Sequence, residues 1–156
     1  MANTQAMCTS FKGELLVGAH QFGSVTLTSR TSLTAPTTDT FKAALFVATA
    51  TLNAATATYS STNEVTGTNY TAGGVTVTNA VAPSTSGTTA FWTPSASFAW
   101  TTVTLATSFD CVQLYNSTQG NKSVSIHTFG ATTVTAGNFT LTMPTNDATN
   151  GLIRIA

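Results

Sequence analysis

From Val25 onward, apolar and hydroxyl-bearing residues alternate with a period of two. Residues 25–28 (Val-Thr-Leu-Thr), 75–78 (Val-Thr-Val-Thr), 103–105, 124–127 and 139–143 carry this pattern. Strand side chains point alternately to opposite faces, so each run predicts a β-strand with one face on a core and one face wet. Residues 41–47, 109–115 and 152–155 are denser in apolar side chains and predict more central strands. Turn formers separate these runs: Pro36, Gly73-Gly74, the stretch 83–87, Pro94, the stretch 116–121, Gly130, Gly137-Asn138 and the stretch 144–151. Short strands at this spacing predict an all-β fold, an antiparallel β-sandwich of jelly-roll-like or Ig-like type.

The start of the chain has a different period. Met7, Phe11, Leu15, Ala19 and Phe22 recur at three- and four-residue spacing, which predicts a short N-terminal helix or arm over residues 1–24 ahead of a β-sandwich domain over 25–156. Gly13 and Gly18 weaken that helix by about 1 kcal/mol each relative to Ala. So short a helix needs a surface for its apolar stripe, either the β domain or a neighbouring chain. Residues 53–74 have the weakest pattern. Within them Ser61 and Glu64 have the spacing of a capping box, which predicts a single helical turn.

Composition sharpens the picture. Charged residues are 6% of the chain, against about 25% in an average globular protein. Five basic and five acidic residues cancel, and about one residue in four is threonine. The basic residues Lys12, Arg30, Lys42, Lys122 and Arg154 are scattered, so no polyanion patch forms and nucleic acid is excluded as a partner. No apolar run reaches the ~20 residues of a membrane span. The opening residues lack the basic and apolar regions of a secretory signal, so a soluble chain made in the cytoplasm is expected. Ordinary edge strands are blunted by lysine and other charges. Here such charges are few, and zero net charge favours association, so a homo-oligomer is expected.

Candidate chemistry is sparse. His20 and His127 are the only histidines, and neither has a local metal-ligand or nucleophile spacing with Cys8, Cys111 or Asp110. The two cysteines read as reduced, buried thiols. No catalytic or cofactor-binding set emerges. The aromatic residues Phe91, Trp92, Phe98 and Trp100 flank Pro94 and suit a sugar-stacking face, an interface or core filling. Candidate interface residues are therefore Met7, Phe11, Leu15 and Phe22 on the arm, with Trp92 and Trp100.

Four segments together resemble small virion structural proteins of tailed bacteriophages: residues 10–16 (Ser-Phe-Lys-Gly-Glu-Leu-Leu), 39–46, 62–74 and 147–155. The most specific is 63–74, within Thr-Asn-Glu-Val-Thr-Gly-Thr-Asn-Tyr-Thr-Ala-Gly-Gly. The resemblance implies a non-enzymatic particle component without cofactors. Its leading form is a capsid decoration (cement) protein on the outside of the shell, bound to the major capsid protein, commonly as a trimer. Minor tail, neck and head-fibre components share the same look, and a carbohydrate-binding host-recognition module is the reading from another class.

Overall fold

The computed structural model describes residues 3–16, 18–23, 38–78 and 81–156. In chain order the elements are β1 (Ala6–Met7), α1 (Thr9–Leu16), β2 (Phe41–Val47), β3 (Val75–Thr76), β4 (Ser84–Ser86), β5 (Thr89–Trp92), β6 (Phe98–Asn116), β7 (Lys122–Leu141) and β8 (Ile153–Ile155). One sheet has the order β1-β7-β6-β2-β3 and the other β4-β5-β8, with every pairing antiparallel. The chain is an all-β sandwich with a short N-terminal helix.

The densest apolar run forms β2 as expected, and β6 and β7 make one long hairpin around the turn that the 116–121 cluster predicts. Gly120 and Asn121 close that turn at φ 67° and 60°, a region that Gly and Asn tolerate. Two expected breaks are absent, since Gly130 and Gly137-Asn138 lie inside β7, and a third is only partial: within 83–87, Ser84–Ser86 is strand β4 while Gly87, at φ 57°, makes the turn to β5. The reason in β7 is a series of register shifts against β6 between Trp100 and Cys111, where bulges absorb extra residues without ending the pairing. The expected strand at 25–28 and the break at Pro36 lie outside the described residues.

Helix α1 is shorter than the apolar stripe. Its end is a Schellman motif: Gly18 sits at φ 70°, its N–H donates to Leu15 O, and Ala19 N–H donates to Glu14 O. Met7 consequently belongs to β1, and Phe22 follows the helix. The turn expected at Ser61 closes through Glu64 N–H to Ser61 O without becoming a helix.

Side chains of both sheets, α1 and the 48–77 connection join one apolar cluster, from Phe41 and Leu114 to Trp92 and Ile153. The connection lies tight against the main sheet. A Cβ on Gly74 would stand 1.9 Å from Ala43 O, and one on Gly67 would stand 2.0 Å from Thr104 O. Gly74 also has φ +72°. Gly74→Ala is therefore expected to cost upwards of about 2 kcal/mol by chemical denaturation. Gly130→Ala, with open space around its Cβ, should stay within about 0.5 kcal/mol. Equal midpoints for the two variants would contradict this packing.

Candidate interaction surface

The six candidate interface residues pack within this chain. Phe11, Phe22, Trp92 and Trp100 are 0%, 7%, 2% and 4% exposed, while Met7 and Leu15 are half-buried against the same core. Phe22 stacks on Phe41 at 4.4 Å and meets Trp92 at 4.7 Å, and Phe11 meets Phe22 edge-on at 5.9 Å. The arm's stripe thus faces its own domain. The aromatic residues around Pro94 are divided: Trp92 packs with Phe22 and Phe41, and Trp100 packs with Phe139. Neither indole presents an open face for a sugar.

Two polar networks tie the connections to the sheet. In the first, the Glu64 carboxylate accepts from Tyr59 Oη at 2.5 Å, Tyr70 Oη at 2.7 Å and Gly73 N–H at 2.8 Å. Tyr70 Oη in turn accepts from Leu45 N–H, and Tyr115 Oη donates to Gly73 O. Burial, then the bond to Glu64, raises the Tyr59 and Tyr70 phenols far above their usual range. Burial and the Glu64 charge push Tyr115 up to about 12. These phenols stay protonated and act as donors. The capping-box spacing located Glu64, but its tyrosine and backbone partners come from the fold.

The second network holds the arm. Glu14 accepts from His20 Nε2 and Lys122 Nζ, each at 2.6 Å. Asn116 Oδ1 accepts the N–H groups of Thr118 and Gln119, so its Nδ2 is the donor, to Asp39 Oδ2 at 2.7 Å and to His20 Nδ1 at 3.1 Å. His20 Nδ1 is therefore an acceptor, and the ring's proton sits on Nε2 facing Glu14. Burial alone would raise the Glu14 carboxyl, but the bonds from Lys122 and His20 outweigh it and hold the group below its usual value.

Burial pushes the Cys8 and Cys111 thiols up to about 11 and about 12, which makes them poor nucleophiles. Burial also pushes the His127 imidazole down to about 4. Among the described residues, no group of three or more His, Cys, Asp or Glu side chains is placed to hold a metal. No described helix is long and apolar enough to cross a membrane.

What remains is a strand edge. β7 pairs with β6 along one side, and on the other side with β1 only at Ser125 and Ile126. From residue 128 to 141 its outer side has no strand partner among the described residues. This stretch contains no Asp, Glu, Lys, Arg or Pro. Phe129, Val134, Phe139 and Leu141 lean on the core, while Thr133, Thr135, Asn138 and Thr140 are exposed. Charge and proline, two of the ordinary means of keeping such an edge from pairing, are missing here, and the bulges shared with β6 are the irregularity it carries. Two expected breaks inside β7 hid this edge from sequence reasoning. The signal that could have found it was the uncharged run from 123 to 146.

Comparison of the chain with protein-family models, with curated proteins and with solved structures finds no match.

The Glu14 network yields a pH prediction. A carboxyl held below its unfolded value contributes stability at neutral pH that is lost as pH falls through the folded value. Glu14→Gln should cost about 1–2 kcal/mol at pH 7 and much less at an acid pH low enough to protonate the wild-type carboxyl in the fold. Denaturation at the two pH values checks this; a penalty independent of pH would contradict it.

Proposed function

We propose that this chain is a non-enzymatic structural component of a tailed-bacteriophage particle, specifically a capsid decoration protein bound to the outside of the major capsid shell. The observation that carries the reading is the outer edge of β7, which presents no charge or proline to keep a neighbouring strand from packing on it. Several weak contacts of this kind gain by effective concentration when they act together on one shell. Homo-oligomerisation, with a trimer as the leading form, covers such edges by symmetry.

The resemblance set out from the sequence supports the same reading. Its most specific segment contains Glu64, Gly67, Tyr70, Gly73 and Gly74, the residues that fasten the long connection to the sheet. A likeness concentrated at positions of steric and hydrogen-bonding necessity bears on the fold first and on the particle role second. The carbohydrate-binding reading relied on Trp92 and Trp100, and their burial leaves it without a stacking face.

Copy number in purified virions tests the proposal. Hundreds of copies per particle on a stained gel are the expected result, while a handful would move the chain to the tail, neck or a fibre. With 6% charged residues there is little Coulomb attraction to screen, so the protein should stay attached after a 1 M NaCl wash. Release between about 0.1 and 1 M salt would show that ion pairs hold it.

A further inference from the structure

A cleft of about 430 Å³ opens where β1, the Ser125–His127 part of β7 and the chain around β8 meet. It is distinct from the β7 edge at 128–141. Among the described residues, strands β1 and β8 are each the end strand of their own sheet, and both line the cleft, through Ala6 and Met7 on one side and Ile153 and Arg154 on the other. An end strand carries a row of backbone N–H and C=O groups that its own sheet leaves unpaired. β1 has two residues and β8 three, and an antiparallel end strand turns the groups of alternate residues outward, so one or two residues of each strand offer them beside this cleft.

The lining side chains add direction. Met7, Pro144 and Leu152 give apolar wall, and Gln5, Ser125 and Asn150 give neutral hydrogen-bonding groups. His127 is occupied with Ser125 Oγ at 2.8 Å. Among the described residues, the one charged side chain in the lining is Arg154. Its guanidinium makes a long 3.4 Å bond to Ala148 O. Asp147, the nearby acid, has its oxygens engaged by the Thr149 and Asn150 N–H groups and the Asn150 amide. Most of the five N–H donors of Arg154 are left for a carboxylate from outside.

We propose that this cleft binds an extended, carboxylate-bearing peptide segment of a partner protein, which adds as a strand at β1 and β8 and places its carboxylate on Arg154. The volume lies within the ~300–1,000 Å³ of ordinary ligand sites. Only a peptide offers N–H and C=O groups at the strand repeat of about 3.3 Å that both edges require. A single cation is too little for nucleic acid but sufficient to select one acidic side chain. The site stands independently of the virion assignment, and its test needs only the purified chain.

The probe is the capped hexapeptide acetyl-Thr-Val-Thr-Glu-Val-Thr-amide, titrated into the full chain and followed by backbone amide NMR. Saturable shifts centred on Met7, Ser125, His127, Ile153 and Arg154 are expected. Replacing the probe's Glu by Gln should weaken binding about fivefold, and Arg154→Gln should weaken the Glu probe by a similar factor while leaving the Gln probe unchanged. A probe with proline at its two valine positions should lose binding, because two N–H donors are gone. The proposal is overturned by the absence of saturable shifts at millimolar probe, by shifts centred on residues 128–141, or by equal binding of the Glu and Gln probes.

Discussion

The antiparallel pairing of β6 with β7 sets the position of nearly everything else. β2 and β1 hang on the two sides of this hairpin, and its turn supplies Asn116 and Lys122, the residues that fasten the N-terminal arm. The pairing is irregular in the middle, and the irregularity has partners. Thr102 and Ala136 sit at φ 51° and 45°, strained positions for residues with a Cβ. Asn138 Oδ1 accepts Thr102 N–H, Asn69 Nδ2 donates to Thr102 O, and Thr104 Oγ1 accepts Ala136 N–H. Thr68 exchanges two backbone bonds with Thr104. The 48–77 connection therefore docks where the ladder is broken and satisfies the groups that the bulges release.

Charge poverty acts on this frame in a specific way. All five acidic side chains accept hydrogen bonds from the chain itself: Glu14, Asp39, Glu64, Asp110 and Asp147. Asp110 takes Asn3 Nδ2 at 2.5 Å, which ties the extreme N-terminal segment to β6. The few anions serve as internal fasteners for loops and arm, and the strand edges are left to threonine. Outward threonines retain β-propensity and can hydrogen-bond across strands without introducing repulsion. A surface so made discriminates poorly against a neighbouring strand, which is a liability in a free monomer and an advantage in a subunit of an assembly.

Parts of this arrangement were legible in the sequence for local reasons. The dense run at Phe41–Val47 and the turn cluster at 116–121 define β2 and the hairpin, because core burial and positive φ leave strong compositional marks. The spacing of Phe11 and Leu15 likewise gave the helix, whereas Gly18, read only as weakening it, is where it ends. The continuity of β7 was not legible. Gly130 and Gly137 look like turn formers, and only pairing with the bulged β6 shows that the strand runs through them. The inward placement of Phe22, Trp92 and Trp100 also depends on partners far away in sequence, so an aromatic stripe could be read as core or as interface with equal justice. Glu64 was visible as a spacing, while its tyrosine and Gly73 partners were set by how the connection folds back.

The central claim is that the uncharged outer edge of β7 is the surface by which this chain joins others. Hydrogen–deuterium exchange of the amides from residue 128 to 141, compared between the dilute free chain and the chain assembled on particles, tests it most directly. The account predicts strong new protection of the amides on the side away from β6, with little change at the already paired Phe41–Val47 strand. Unchanged exchange along 128–141, with new protection elsewhere on the molecule, would contradict it.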